Sequence, residues 1–208
     1  MSTPDRTAEV IDSVMGSNLV ERADVTLAAQ AARLADTPVV KALGTLSEVA
    51  DQPPMVALSA AVLALGLAGA DRRLAGTGAR MLLAVGLATA AKSAVKLVVA
   101  RTRPYKALDE GGYEARLMGP HEGPWNSFPS GHTANAVASA RAVSRAYPAA
   151  REAATATALG IALIQVPRAA HYPIDVAAGA LVGWAAEAVA DRVVRELEGT
   201  LPRRLRPF

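Results

Sequence analysis

The sequence contains no cysteine, few aromatic residues and only a small excess of positive charge. Without cysteine the chain has no disulfide framework, no thiolate nucleophile and no cysteine-ligated zinc site. A formal net charge of +3 is too small to indicate a nucleic-acid partner, and we expect none. Residues 1–18 carry several charges and lack a central apolar run, so we expect no secretory signal peptide there.

Alanine, valine and leucine, residues typical of helices, are abundant and gather in five segments. The 208 residues suit a single domain. Because a helix needs about 20 residues to cross the bilayer core, the segments approach the length of membrane spans. We therefore predict an all-α transmembrane helical bundle of about five spans, without a sheet, formed by residues 53–70, 81–100, 131–147, 152–167 and 173–194.

A soluble helical bundle competes with this interpretation, because Arg141, Arg145 and Glu187 interrupt the segments. Two observations favour the membrane. Gly179 and Gly183 have a spacing at which helices pack closely in lipid. Five spans also place many arginines on the side opposite to residues 101–131, the bias expected of cytoplasmic loops. These arginines are Arg72, Arg73, Arg80, Arg145, Arg151, Arg192, Arg195, Arg203, Arg204 and Arg206.

The residues before the first predicted span form a segment of their own. Apolar positions recur at helical spacing within residues 19–52, and Thr37 before Pro38 is a favourable helix start. We expect two short amphipathic helices that pack on a neighbour or lie in the membrane interface. The predicted organisation is an amphipathic N-terminal segment (1–52), a membrane catalytic domain (53–194) and a basic C-terminal tail (195–208).

Three short stretches carry the chemically active side chains, each at one end of a predicted helix. They are KLVVARTRP at 96–104, SFPSGH at 127–132 and PRAAHYPID at 167–175. The predicted topology brings them to one face of the bundle. Lysine and arginine gathered there favour a phosphate ligand, since a guanidinium donates paired hydrogen bonds to phosphate. Ser130 and the amides after it open a helix, which favours phosphate oxygens.

Two histidines add groups that transfer protons or attack phosphorus. His171 and Asp175 lie four residues apart, so one helical turn lets the carboxylate orient one ring nitrogen. The other ring nitrogen then acts as a nucleophile or a base. His132 provides a second imidazole that can protonate a leaving oxygen.

The three stretches resemble the signature of the type 2 phosphatidic acid phosphatase (PAP2) superfamily. This family comprises lipid phosphate phosphatases related to vanadium haloperoxidases and bacterial class A acid phosphatases. Its motifs are K-x6-R-P, P-S-G-H and S-R-x5-H-x3-D, and the resemblance covers roughly residues 53–192. One position departs from the pattern, because Gln165 stands where the family has arginine. Arg168, three residues before His171, is expected to take over that role.

The resemblance implies a reaction that needs no metal or other cofactor. His171 would attack phosphorus and form a phosphohistidine, Asp175 would hold its ring, and His132 would protonate the departing alkoxide. Water would then hydrolyse the phosphohistidine. The groups expected to hold the phosphate oxygens are Lys96, Arg103, Ser130, the Gly131 amide and Arg168.

We therefore predict a membrane lipid phosphate phosphatase acting on a phosphomonoester or diphosphate. Phosphatidate, phosphatidylglycerol phosphate and polyprenyl phosphates or diphosphates are the candidate substrates. Membrane lipids are its expected partners, and its active site is expected on the non-cytoplasmic face of the cell membrane. A soluble acid phosphatase or a vanadate-dependent haloperoxidase on the same scaffold is the enzymatic alternative. Gln165 motivates a third possibility, a non-catalytic membrane binding protein.

Two further cations remain ambiguous at this stage. Lys92 lies one turn before Lys96 and would be costly in mid-membrane, so we expect it to face the bundle interior. Arg101 is either an interfacial anchor or a further phosphate ligand.

Overall fold

The computed structural model describes the backbone of residues 6–120 and 123–200 and the side chains up to Leu197. Most of these residues are helical, so the prediction of an all-α transmembrane bundle is confirmed. The helices are α1 (Thr7–Ser13), α2 (Leu19–Ala31), α3 (Pro38–Ser47), α4 (Gln52–Ala68), α5 (Arg72–Lys96), α6 (Pro104–Glu110), α7 (Gly131–Ala146), α8 (Arg151–Ile164) and α9 (Pro173–Thr200). Two short strands, β1 (Val99–Arg101) and β2 (Ala115–Leu117), lie between α5 and α7 in the chain.

Three helices form the centre of the bundle. Helices α5, α7 and α9 pack against one another, while α4 covers α5 and α8 covers α7. Because alanine side chains are small, these helices approach closely and leave few gaps. The buried alanines between the three central helices are Ala84, Ala88, Ala134, Ala138, Ala186 and Ala190.

Two glycines of α9 allow it to lie directly against the backbone of α7. A Cβ atom on Gly179 would stand 2.4 Å from the carbonyl oxygen of Ser130. A Cβ atom on Gly183 would stand 2.2 Å from the carbonyl oxygen of Ala134. Both distances are far below van der Waals contact, so only glycine fits. The close packing predicted from their spacing is confirmed, and it fixes the start of α7 against α9.

Each predicted segment contains a helix, but the helix lengths do not confirm five spans. Helices α5 and α9 are long and apolar enough to cross a membrane. Residues 38–50 and α4 together make a third candidate that is bent by 57°. Helices α7 and α8 contain 16 and 14 residues, which gives lengths of about 24 and 21 Å against a core of about 30 Å. Length and composition therefore support two spans, or three with the bent pair.

A small antiparallel sheet shows that the expectation of no sheet is wrong. In it, Val99 pairs with Leu117 and Arg101 with Ala115. Helix α5 ends at Lys96, before the end of the predicted segment. The chain then leaves the helix and pairs with its own returning loop, which satisfies backbone groups that the helix no longer pairs. The sheet thereby fixes the chain after α5 at this end of the bundle.

The N-terminal segment contains the two expected short helices, α2 and α3. The Thr37 hydroxyl accepts a hydrogen bond from the Val40 amide at 3.4 Å and so caps α3, as predicted. Helix α2 packs against α6 and α9. Helix α3 exposes a row of large apolar side chains, Val39, Leu43 and Leu46. The segment is therefore joined to the bundle on one side and presents an apolar face on the other.

The C-terminal boundary predicted between residues 194 and 195 lies inside a helix, because α9 continues to Thr200. Arg203, Arg204 and Arg206 lie outside the described residues. The other basic residues of the predicted arginine-rich side do meet at one end of the bundle. Three of them, Arg80, Arg145 and Arg195, contact Asp191 of α9.

Candidate active site

The SFPSGH stretch forms the turn that starts α7, at the bundle end opposite to this arginine-rich end. Ser130 caps the helix and is fully buried. Its Oγ accepts hydrogen bonds from the Thr133 amide at 3.4 Å and from the Thr133 hydroxyl at 3.0 Å. The hydroxyl proton of Ser130 can therefore be donated to a phosphate oxygen. Its amide donates to the main-chain oxygen of Asp175 at 3.0 Å, which ties the starts of α7 and α9 together.

Lys96 and Arg103 converge on one backbone carbonyl. Lys96 Nζ donates to the main-chain oxygen of Asn126, and Arg103 Nη2 donates to the same oxygen at 3.4 Å. Arg103 also donates to the carbonyl oxygens of Gly123 at 3.0 Å and Ala170 at 3.4 Å. These acceptors are main-chain carbonyl oxygens, and they orient the two cations towards one region. The pair can therefore attract an anion.

His171 lies in the turn before α9, and Asp175 lies in the first turn of that helix. His171 Nδ1 and Asp175 Oδ2 are 3.7 Å apart. This distance allows an ion pair but is longer than a hydrogen bond. Contacts between catalytic side chains are often long before substrate binds and shorten in the complex. The helical turn thus places the two side chains next to each other, as their spacing predicts.

Three donors hold the Asp175 carboxylate in position. Arg101 Nη1 donates to Oδ1 at 2.6 Å, and the Ser127 hydroxyl donates to Oδ2 at 2.6 Å. The Tyr172 amide donates to Oδ2 at 2.9 Å. On its other side, Arg101 Nη2 donates to Asp24 Oδ2 in α2 at 2.5 Å. Arg101 therefore binds two buried carboxylates and lies behind Asp175.

The surroundings of Arg101 and His171 set their protonation states. Burial lowers the pKa of Arg101, but Asp175 and Asp24 outweigh it, so its pKa lies above the ordinary arginine value. Burial lowers the pKa of the His171 imidazole to about 4, and the positive charge of Arg103 acts in the same direction. The imidazole is therefore neutral near pH 7, the form that a nucleophile or base requires.

The N-terminal segment enters the site through Glu48, which follows α3 in a short 3-10 turn, Glu48–Ala50. His132 Nε2 lies 3.3 Å from Glu48 Oε2. The Arg168 guanidinium donates through Nη2 to Glu48 Oε1 and through Nη1 to Ser47 Oγ at 2.8 Å. Arg168 also donates to the Gly44 carbonyl oxygen at 3.1 Å. One carboxylate thus connects His132 with Arg168.

Gln165, at the departure from the family pattern, lies next to the same group. It is fully buried, and its Nε2 donates to Ser47 Oγ at 3.2 Å and to the Ile161 carbonyl oxygen at 2.9 Å. Gln165 and Arg168 therefore meet at the Ser47 hydroxyl, although they start from different positions in the chain. Side chains at both positions therefore extend into the same region beside Ser47.

The structure brings the predicted site residues into two adjoining groups. The first group surrounds His171 and contains Lys96, Arg103, Ser130 and Asp175. The second consists of His132 and Arg168 around Glu48. They adjoin because Ser130, Gly131 and His132 are consecutive at the start of α7. Lys92 is buried, and its Nζ lies 2.9 Å from the position of a Cβ atom on Gly131, so it faces the interior as expected.

Four acidic or hydroxyl side chains of the site were not predicted: Glu48, Ser47, Asp24 and Ser127. Ser127 is the first residue of the SFPSGH stretch, but the sequence pattern gives no reason to expect a hydrogen bond from its hydroxyl to Asp175. Asp24 is followed in α2 by the buried Val25 and Ala28. A carboxylate next to the apolar positions of an amphipathic helix is the sequence feature that could have indicated a buried role for Asp24.

The comparison with protein families identifies the chain. The model of the PAP2 superfamily matches residues 77–197, which is more than half of the chain. The chain belongs to the PAP2 superfamily. The matched region contains all three motifs of the resemblance described above. Glu48 and Asp24 precede it, so part of the site comes from outside the region that defines PAP2 membership.

One solved structure supports the same fold. It is the crystal structure of a transmembrane PAP2-type phosphatidylglycerolphosphate phosphatase from Bacillus subtilis. It is 18% identical to this chain, with a TM-score of 0.63, and the match covers 91% of this chain and 92% of that chain. At this identity the likeness shows the fold alone. A search of curated proteins finds no match.

Proposed function

We propose that this PAP2 protein is a membrane lipid phosphate phosphatase that acts through a phosphohistidine. The observation that supports this most is the environment of His171. Its imidazole is buried and neutral, lies beside a carboxylate held by three donors, and shares its surroundings with two oriented cations. This combination suits attack on a phosphate, because the nucleophile is uncharged and the cations attract the anion.

The proposed reaction has two steps. His171 Nδ1 faces Asp175, so Nε2 attacks phosphorus, and the bond to the lipid oxygen breaks. His132 donates its proton to that oxygen and the lipid alcohol leaves. In the second step a water molecule attacks phosphorus, the phosphorus–nitrogen bond breaks, and His132 accepts the proton from water. Inorganic phosphate and free His171 result.

The phosphate oxygens are held by donors from three parts of the chain. Lys96 approaches from the end of α5, and Arg103 approaches from the position directly before α6. The Ser130 hydroxyl and the Gly131 amide approach from the start of α7. Arg168 leaves Glu48 to bind the phosphate. Donors placed before the reaction stabilise the charge that develops in the transition state without reorganising.

A lipid substrate fits the surroundings of this site. The exposed apolar side chains Val39, Leu43 and Leu46 lie on α3, and Glu48 at the site follows directly. An exposed apolar row of this kind suits contact with acyl chains. The similar solved structure is named a phosphatidylglycerolphosphate phosphatase, so that lipid is a candidate together with phosphatidate and polyprenyl phosphates or diphosphates.

We place the enzyme in the cell membrane with its site on the non-cytoplasmic face. The support is the cluster Arg80, Arg145 and Arg195 at the other end of the bundle, the end expected in the cytoplasm. In this proposal residues 1–52 form an amphipathic segment that completes the site, 53–194 the catalytic domain and 195–208 a basic tail.

A substrate panel tests the proposed function. Purified protein in mixed micelles is given each candidate lipid, and release of inorganic phosphate is measured. We expect turnover of at least one lipid phosphate, unchanged by excess EDTA and abolished in His171→Gln. A soluble phosphomonoester hydrolysed faster than every lipid would favour the acid phosphatase alternative. No release from any substrate by the folded protein would favour a binding protein.

A further inference from the structure

A second cationic cavity lies between α7 and α8, far from the proposed active site. It encloses about 350 Å³ and is lined by Arg141, Ser144, Arg145, Arg151 and Thr155. Ser130 and Arg145 stand at opposite ends of α7, which separates them by roughly 20 Å along the helix. The cavity therefore belongs to the arginine-rich end of the bundle, and the proposed reaction does not use it.

Buried carboxylates orient two of the three arginines. Glu187 of α9 is fully buried and accepts from Arg141 Nε at 3.0 Å and from Arg145 Nε. Arg145 Nη1 also lies 3.3 Å from Asp191 Oδ2. The Arg141 guanidinium packs against Trp184, and its central carbon, Cζ, lies 5.1 Å from the centroid of the tryptophan ring. These contacts fix the arginines in place before any ligand binds.

The cavity has an excess of positive charge. Three guanidinium groups line it, and no carboxylate is among the described lining residues. Glu187 binds two of these groups, and Asp191 is shared with Arg80 and Arg195. Glu152, next to Arg151, is exposed and does not line the cavity. The guanidinium groups thus exceed the carboxylates that contact them, which favours an anionic ligand.

We propose that this cavity binds a phosphate group, carried by the headgroup of an anionic phospholipid or by a soluble phosphate. Guanidinium groups match phosphate oxygens in paired geometry, and the Thr155 hydroxyl adds a neutral donor. Basic cavities between membrane helices on one side of a bilayer bind lipid headgroups. The cavity volume lies within the range of small-molecule sites. This inference depends on the membrane fold and not on the proposed reaction.

Variants that spare Glu187 test the proposal. Replacing Arg141 or Arg145 would remove one of the two arginine partners of the buried Glu187 carboxylate, so the informative variants are Arg151→Gln and Arg151→Gln with Thr155→Val. Arg192→Gln is the matched control, because it removes one exposed positive charge from the same end outside this cavity. Melting temperatures without ligand establish that each variant is folded.

Binding to the full-length protein in detergent micelles is measured with three probes: phosphatidylglycerol, phosphatidylcholine and inorganic phosphate. Phosphatidylglycerol is a phosphodiester, so it is not a substrate of the proposed phosphatase, which acts on phosphomonoesters or diphosphates. We expect it to bind the wild type and Arg192→Gln equally, and to bind the Arg151→Gln variants about tenfold more weakly, the loss expected for a charge-assisted hydrogen bond. Phosphatidylcholine should bind weakly to all four proteins.

Comparing the lipid probes with inorganic phosphate distinguishes the two possible sources of the bound phosphate group. If phosphatidylglycerol binds tightly and inorganic phosphate does not weaken its binding, the ligand is a lipid headgroup. If inorganic phosphate binds to the wild type and this binding is lost in the Arg151→Gln variants, the ligand is a soluble phosphate. Equal binding of both probes by wild type and variants would overturn the proposal. Phosphate release from the lipid panel is measured separately, so inactivity there leaves this result interpretable.

Discussion

At the residue scale, the most informative side chain is Glu48, which joins the N-terminal segment to two proposed catalytic groups. It lies 3.3 Å from His132 Nε2 and accepts from the Arg168 guanidinium. An incoming phosphate and Glu48 are both negative, so they compete for Arg168. In the proposed reaction, Glu48 keeps Arg168 in place while the site is empty and releases it when substrate binds.

This competition predicts the effect of Glu48→Gln. The variant keeps the shape of the side chain and removes its charge, so phosphate meets less repulsion. We expect KM to fall by about fivefold, since two like charges about 4 Å apart in water-like surroundings repel each other by about 1 kcal/mol, which is a factor of about five in affinity, while kcat changes less. Steady-state kinetics on the best lipid substrate measure both. Glu114→Gln, directly before β2 and paired with Arg116, is the control, and a higher KM in Glu48→Gln would refute the competition.

Arg168 itself is predicted to supply the phosphate contact that the arginine at position 165 makes elsewhere in the family. Arg168→Ala should reduce kcat/KM by roughly 10²–10³, by analogy with the loss of one oxyanion donor. Adding Gln165→Arg should restore part of the activity, because both positions reach Ser47. The control is Arg116→Ala, which removes an exposed arginine paired with Glu114. Near-normal activity in folded Arg168→Ala would show that Arg168 only anchors the segment.

Burial of His171 predicts a pH dependence of stability. Its pKa falls from an ordinary 6.5 to about 4 on folding. Between these values the unfolded chain binds a proton that the folded chain does not, so stability rises with pH in this window and is lost as pH falls from 6.5 towards 4. Melting temperatures at pH 4.5–7 should therefore drop less steeply for His171→Gln than for the wild type. If the melting temperatures of the two proteins changed with pH in parallel, the result would contradict a buried, neutral imidazole at His171.

At the scale of elements, what the sequence predicts well is local. The capped start of α3, the turn at Ser130 and the Gly179–Gly183 contact all follow from residues within one or two helical turns. The contacts that complete the site are not local. Asp24 and Arg101 are 77 positions apart, and Glu48 and Arg168 are 120 apart. No local spacing can reveal such pairs, because they depend on how the N-terminal segment docks on the bundle.

The lengths of the helices show a second limit of prediction from sequence. Apolar content locates all five bundle helices, but it does not fix where each helix ends. Helix α5 stops at Lys96 because the next residues pair as strands, and α9 continues beyond the predicted boundary. Helix ends depend on what the flanking backbone can pair with, which is a tertiary property.

The contact between α7 and α9 predicts opposite effects for two glycine substitutions. Gly183→Ala forces a Cβ atom to within 2.2 Å of the Ala134 carbonyl oxygen, and overpacking of this kind costs typically about 1–3 kcal/mol. Gly160→Ala in α8 meets nothing within 4 Å and should gain about 1 kcal/mol of helix propensity. Thermal melting in detergent compares the two variants. An unchanged melting temperature in Gly183→Ala would contradict the close contact.

At the scale of the whole molecule, charge and chemistry are separated along the bundle. One end carries the motifs, the sheet and α6, and the other gathers arginines around Glu187 and Asp191. Arginine-rich loops tend to stay in the cytoplasm during insertion, and our proposal that the site lies on the non-cytoplasmic face depends on this asymmetry. The arginines of this end also line the second cavity, so the proposed orientation and the proposed anion binding depend on the same residues.

The absence of cysteine makes this orientation directly testable, because any introduced cysteine is the only thiol in the chain. Gly112→Cys lies on the exposed loop between α6 and β2, at the end with the motifs, and a Cβ atom there meets nothing within 4 Å. Ala149→Cys is exposed between α7 and α8, at the arginine-rich end. A membrane-impermeant maleimide applied to intact cells should label Gly112→Cys at once and Ala149→Cys only after permeabilisation. Labelling of Ala149→Cys alone in intact cells would place the active site in the cytoplasm, and labelling of both before permeabilisation would contradict a membrane-spanning bundle.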